Sequence, residues 1–111
     1  MNHNTRNNAG IFVKIHDNVL ESLQHAKKSI LGKDIEGQYT HTKHAADFIL
    51  RMQEAIANSG AEGIDELVNI YGQIYRNLHS AVGKPDANSD IDASMEAINK
   101  LSKMWITSGS D

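Results

Sequence analysis

Histidine is the residue type in this sequence best suited to metal binding or phosphoryl transfer, with six copies in 111 residues. His41 and His44 are three residues apart and Glu21 and His25 are four apart, so on helices each pair would share one face. Di-iron bundles use Glu-x-x-His on two helices, a spacing that this sequence lacks. Cysteine is absent, which excludes thiolate ligands and a cysteine nucleophile. We therefore predict no metal site and no cofactor.

His41 suggests a different chemistry, that of histidine phosphotransfer domains. These domains are four-helix bundles of about this length. Their signature resembles His-x-x-Lys-Gly, in which the lysine supports the phosphoryl oxygens and the glycine leaves room for them. Here the corresponding residues are His41-Thr42-Lys43-His44-Ala45, with lysine one residue early and alanine in place of glycine. One residue of helix turns the lysine by about 100° away from the required face. A phosphorelay function centred on His41 is kept as the alternative.

Composition and motifs argue against several other functions. The sequence has no glycine-rich phosphate loop and no serine nucleophile motif, so we predict that it is not an enzyme and has no catalytic residues. The net charge of −3, without a basic stripe, argues against a nucleic-acid partner. No apolar run approaches the roughly 18 residues of a membrane span. The first ten residues lack the apolar centre of a secretory signal, so we expect a cytoplasmic protein.

Four segments place apolar side chains every three or four residues, the spacing of helices that bury one face. Glycine, proline and polar residues interrupt the pattern between them. Gly32 is expected to adopt the left-handed conformation that often ends a helix, and Asp34 is expected to cap the next one. The predicted helices cover about residues 11–31, 34–58, 64–82 and 90–106.

Helices of this length joined by short loops pack as antiparallel neighbours. The predicted fold is therefore all-α, an antiparallel up-down four-helix bundle over residues 11–107. Residues 1–10 form a predicted N-terminal arm that is disordered or flexible.

Several helices carry more apolar residues than one core-facing stripe requires. On the helical wheel we assign Ile49, Leu67, Leu78 and Trp105 to the core. The additional apolar residues either widen the core or form a groove for an amphipathic partner helix, to which methionine and tyrosine adapt well. The candidate partner-binding residues are Phe48, Met52, Val68, Tyr71, Tyr75 and Met104.

Three motifs stand out in the apolar segments. They are Leu67-x-x-Ile70-Tyr71-x-x-Ile74-x-x-x-Leu78-x-x-Ala81 in the third segment, Ile98-x-x-Leu101-x-x-x-Trp105 in the fourth, and Ala45-x-Asp47-Phe48-Ile49 in the second. The order and spacing of these motifs resemble the flagellar secretion chaperone family, FliS, and the similarity covers about residues 11–105.

Three features depart from the family pattern. Position 16 is histidine where tyrosine is usual, and position 18 is asparagine where glycine is usual. The N-terminal arm also lacks the tyrosines that family members often carry there. The sequence is therefore similar to a divergent member.

The resemblance implies a cytoplasmic protein that binds another protein rather than an enzyme. Members of the family hold the disordered, amphipathic C-terminal segment of flagellin, prevent its premature polymerisation and present it to the flagellar export machinery. The expected partners are therefore flagellin and the export machinery, with no nucleic acid and no membrane. The protein itself is expected to be a monomer or a homodimer.

Overall fold

The protein is described here by a computed structural model that covers residues 2–109, with side chains for residues 10–107. This part of the chain forms four helices and no strand. The helices are α1 (Asn2–Leu31), α2 (Ile35–Ala57), α3 (Asp65–Ala81) and α4 (Asn88–Gly109). Within that range, none of the four combines the length and the apolar character that a bilayer-crossing helix needs.

The four helices form a closed ring of neighbours. Within the described chain, α1 packs against α2 and α4, and α3 packs against the same two helices, with the α3–α4 contact the least extensive. The pairs α1–α3 and α2–α4 lie diagonally across the core without close backbone contact. The long dimension of 48 Å is close to the length of α1, which at 30 residues spans about 45 Å. The predicted all-α four-helix bundle is confirmed.

Most of the predicted helix boundaries differ from the observed ones by one to three residues, but the start of α1 differs by nine. The helix begins at Asn2 and not at Ile11, so most of the predicted arm belongs to α1. The segment contains no proline, and Gly10 is its only glycine, so its sequence has no strong helix breaker. That residues 1–10 are flexible stays a prediction.

The turn between α1 and α2 ends α1 in a Schellman motif, although its left-handed residue is not the expected one. Lys33, with φ of 58°, takes the left-handed conformation, so the prediction for Gly32 is wrong by one position. The Asp34 amide donates to the Ser29 carbonyl at 2.8 Å, and the Lys33 amide donates to the Ile30 carbonyl at 3.1 Å. Gly32 precedes the left-handed residue and does not itself have a positive φ.

The predicted cap of α2 is confirmed, because the Asp34 carboxylate accepts a hydrogen bond from the Gly37 amide at 2.9 Å. One turn later, Gln38 is fully buried and joins α2 to the C-terminal end of α3. Its amide nitrogen donates to the Ala81 carbonyl at 2.8 Å, and its amide oxygen accepts from the Gly83 amide at 2.6 Å. Gln38 thus pairs the Gly83 amide and adds a second donor to the Ala81 carbonyl, which also accepts from the Lys84 amide at 3.1 Å.

The core lies where the four apolar stripes meet. Ile49 and Leu78 are fully buried, as predicted. Leu67 and Trp105 are half-buried and pack against the core from its edge. The remaining large, fully buried apolar side chains are Val19, Leu23, Met52, Tyr71, Ile91 and Ile98.

Candidate functional site

Two of the six predicted partner-binding residues face the core. Met52 is 1% exposed and Tyr71 is 0% exposed. The prediction that they lie on an accessible groove is therefore wrong. The helical wheel separates residues by angle but does not show how wide the contact with neighbouring helices is, and here that contact covers both side chains.

Phe48 lies on a different side of the bundle from the other predicted residues. The ring of His41, two turns earlier on α2, packs against His25 of α1 with ring centroids 5.2 Å apart. Seven residues of helix return to nearly the same side, so Phe48 also faces the α1 side of α2. Its ring stacks on His44 at 5.1 Å, and the Arg51 guanidinium lies 5.9 Å from its centroid. Phe48 is half-buried in this local cluster.

Val68 and Tyr75 lie on the flank of α3 that faces α2. The Gln53 side chain of α2 donates to the Val68 carbonyl at 3.1 Å, which identifies this flank. Tyr75 follows Val68 by two turns, is half-buried, and stacks on His79 with ring centroids 5.6 Å apart. The α1 side and the α3 side of α2 are opposite flanks, so Phe48 does not share a groove with these two residues.

Ile70 and Met104 lie on the opposite seam, between α3 and α4. Ile70 is rotated by roughly 200° from Val68, which places it on the α4 side of α3. Met104 is rotated by roughly 200° from Ser102, whose hydroxyl contacts α1, so it lies on the α3 side of α4. Ile70 is 38% exposed and Met104 is 40% exposed. The exposure of Ile70 follows from the limited contact between α3 and α4.

Both flanks of α3 therefore carry apolar side chains that the bundle covers only in part. We name these residues the α3 surface: Val68, Ile70, Tyr75 and Met104. α3 is the shortest helix, with 17 residues against 22, 23 and 30 for the others. An apolar surface of this kind fits a partner helix that presents a matching apolar face.

A cluster of buried polar side chains joins three helices directly beneath the α3 surface. The Nδ1 atom of His16 lies 2.6 Å from the Ser102 hydroxyl, and its Nε2 atom lies 2.9 Å from the Tyr71 hydroxyl. The Trp105 indole donates to the same Tyr71 hydroxyl at 2.8 Å. We name these four residues the polar junction. Its hydrogen bonds connect α1 with both α3 and α4, and one of them crosses the diagonal of the core.

The hydrogen-bond roles in the polar junction follow from the donors present. An indole N–H can only donate, so the Tyr71 oxygen accepts from Trp105. The hydrogen of the Tyr71 hydroxyl is then available for Nε2 of His16, which must accept. Nδ1 therefore carries the hydrogen and donates to Ser102. This neutral form of His16 leaves no polar hydrogen of the histidine, tyrosine or tryptophan unpaired.

Burial controls the ionisation of the junction. Desolvation of the fully buried His16 ring lowers its pKa from 6.5 to about 4, and the nearby Asp17 carboxylate opposes this only in part. Burial also raises the pKa of Tyr71, against the smaller opposite effect of its hydrogen bond from Trp105. Both groups are therefore neutral near pH 7.

In the sequence, His16 is notable only as a departure from the family pattern. A usable signal was present, because His16 lies between Phe12 and Val19 on the buried side of α1. A polar ring in that position needs partners from other helices. Which helices supply them depends on the tertiary arrangement, so the partners Tyr71 and Ser102 could not be assigned from spacing.

The remaining histidines do not form the sites considered from the sequence. Among residues 10–107, no three histidine or acidic side chains are grouped closely enough to hold a metal ion. The Lys43 ammonium binds the Asp47 carboxylate at 3.1 Å. This lysine is therefore engaged with its own helix, and His41 packs against His25 instead of standing free for phosphoryl transfer. Nothing in this geometry favours the phosphotransfer alternative.

Comparison with known protein families decides the relationship of the chain. The family model described as flagellar protein FliS matches residues 2–110, nearly its whole length. The chain belongs to the FliS family. The resemblance drawn from the ordered apolar motifs is thereby confirmed, and FliS proteins are flagellar chaperones rather than enzymes. Among curated protein sequences, none matches the chain significantly.

The α3 surface and the polar junction can now be related to the FliS family. A chaperone function requires a surface for another protein, and the α3 surface is an apolar region of suitable character. The polar junction contains His16 and includes Tyr71 and Trp105, the chain neighbours of Ile70 and Met104. The candidate site therefore has two parts, the accessible α3 surface and the buried polar junction, which contains a titratable histidine.

Proposed function

We propose that the protein is a cytoplasmic export chaperone that binds the disordered, amphipathic C-terminal segment of flagellin on the α3 surface. Binding there covers the apolar face of the segment, prevents its premature polymerisation and keeps it available to the flagellar export machinery. The observation that carries this proposal is the FliS family match over residues 2–110. The partly covered apolar side chains of the α3 surface support the proposed location.

The chemistry of the surface suits an amphipathic segment. A disordered segment loses conformational entropy when it orders, so its interface must bury extensive apolar surface to bind. The exposed side chains of Ile70 and Met104 and the half-buried ring of Tyr75 offer such surface on both flanks of α3. A client segment that wraps around α3 would shield the side chains on both flanks from water, and the same contacts would compete with those that flagellin makes in a filament.

Calorimetric titration of the protein with a flagellin C-terminal peptide tests the proposal. We expect one peptide to bind per bundle with a negative heat-capacity change, since apolar surface is buried, together with a gain in peptide helicity by circular dichroism. A peptide with the same composition in scrambled order is the matched control, because it has no continuous apolar face. Absence of binding, or equal binding of both peptides, would contradict the proposed function.

A further inference from the structure

We propose that His16 is a proton switch in this chaperone: protonation of its ring opens the polar junction and thereby loosens the α3 surface. The link to client binding rests on the proposed function, whereas the opening of the junction is a property of the chain alone.

The polar junction is the point at which three helices are joined through side chains. Its hydrogen bonds run from His16 of α1 to Ser102 of α4 and to Tyr71 of α3, and from Trp105 of α4 to Tyr71. The ring of Phe12 packs against Trp105 with centroids 4.9 Å apart and covers it from the α1 side. α3 and α4 have the least extensive helix contact, so these bonds contribute strongly to how the two are held together.

A proton on His16 is incompatible with this arrangement. Protonated Nε2 becomes a donor, so the Tyr71 oxygen would face two donors, Nε2 and the Trp105 indole, while its own hydrogen loses its acceptor. The ring would also carry a charge at a position that is 0% exposed. Opening of the junction relieves both problems, because water can then solvate the imidazolium.

The charged groups around His16 do not prevent the junction from opening when the ring is protonated. On α1, Asp17 favours the charged ring but is itself exposed to water. The buried side chains of α3 include a single titratable group, Tyr71, and those of α2 include none. On α4 the ring meets Ser102, and its neighbour Trp105 likewise does not titrate. In the part of the chain with described side chains, no buried carboxylate is available to hold the imidazolium in place.

The junction is directly connected to the client surface through the backbone. Tyr71 follows Ile70 on α3, and Trp105 follows Met104 on α4. Each surface residue on the α3–α4 seam is therefore the neighbour of a residue that points inward and is hydrogen-bonded in the junction. Release of Tyr71 and Trp105 frees these turns of helix to rotate, which displaces Ile70 and Met104 from the positions that form the surface.

The size of the effect follows from the two ionisation states. With a pKa of about 4 in the closed junction and 6.5 when the ring is solvated, lowering the pH from 7.5 to 5 raises the opening equilibrium about 30-fold. Hydrogen exchange of the Trp105 indole N–H measures this equilibrium directly, because that hydrogen is bonded to Tyr71 and must be released before it exchanges. Trp105 is the only tryptophan, so its indole signal is unambiguous.

The experiment compares indole exchange in the full-length protein at pH 7.5 and pH 5, each corrected by the exchange rate of a model indole. We expect the protection factor to fall about 30-fold in the wild type. In His16→Gln, whose amide does not titrate, it should change less than about threefold. His16→Asn serves if His16→Gln does not fold. His25→Gln is the matched control on the same helix, and should retain the wild-type fall because His25 is exposed.

A second experiment repeats the exchange measurement at pH 7.5 with the flagellin peptide present at about 100 times its dissociation constant. A client that needs the closed junction should raise indole protection about 100-fold. An equal fall in protection for wild type and His16→Gln would overturn the switch. Unchanged protection in a peptide complex proven by calorimetry would overturn its link to the α3 surface. If the peptide does not bind at all, the proposed function fails, while the peptide-free exchange still decides the switch.

Discussion

Leu78 is fully buried in α3, and its packing gives the simplest test of the core. Leu78→Ala removes apolar contacts and leaves a cavity, so we expect it to lower the free energy of unfolding by about 2–5 kcal/mol. Urea denaturation followed by circular dichroism measures this change. Leu31 is 87% exposed, and Leu31→Ala should alter stability by less than about 0.5 kcal/mol. A Leu78→Ala protein as stable as the control would contradict the register of α3.

His16 makes the stability of the whole bundle depend on pH in a defined direction. Its pKa is about 4 in the folded protein and 6.5 as the ordinary value, so between these values the unfolded chain binds a proton that the folded chain excludes. Its contribution to stability is therefore complete above pH 6.5 and is lost as the pH falls towards 4.

Measured at pH 7.5 and 4.5, the wild type should lose about 2–3 kcal/mol of unfolding free energy more than His16→Gln does. The variant serves as reference because it differs from the wild type only at position 16. Denaturant unfolding at the two pH values provides the measurement. Parallel losses in the two proteins would show that His16 is not protected from protons in the folded state.

At the level of helices, local sequence signals predict most of the fold. The 3.6-residue apolar spacing, the Asp34 cap and the breaks around Gly60 and Pro85 locate α2 and α3 to within one residue at either end. The start of α1 is missed because the predicted boundary followed the first apolar residue, whereas the helix continues through polar residues to Asn2. Apolar spacing identifies the buried part of a helix and does not mark where an exposed part ends.

The connection between α2 and the end of α3 depends on Gln38. Gln38→Ala would leave the Gly83 amide without its present partner and remove one of the two donors to the Ala81 carbonyl, so we expect a loss of about 1–3 kcal/mol in stability. Amide exchange should localise the effect, with faster exchange at Gly83 than in the wild type. The exposed residue Thr40 offers a control, and Thr40→Ala should leave the Gln38 hydrogen bonds in place. Unchanged protection at Gly83 would show that Gln38 does not hold this loop.

At the level of the whole molecule, the arrangement of the helices around the ring decides which apolar residues remain accessible. Val68, Tyr75 and Met104 keep part of their surface open, as expected of a binding surface, whereas Met52 and Tyr71 turn into the core. A single-helix projection cannot separate these cases, because burial depends on the neighbours on either side. For the same reason the spacing does not show that Ile70 lies exposed on the α3–α4 seam.

The most direct test of the central claim is the affinity of the flagellin C-terminal peptide for variants of the α3 surface. Tyr75→Asp and Met104→Asp place a charge on opposite flanks of α3 and should each raise the dissociation constant at least about tenfold. Leu31→Asp introduces the same charge at an exposed apolar residue at the end of α1, and should leave the constant within about twofold. All three must unfold like the wild type. Equal affinity of the three variants for the peptide would contradict the claim that α3 carries the client.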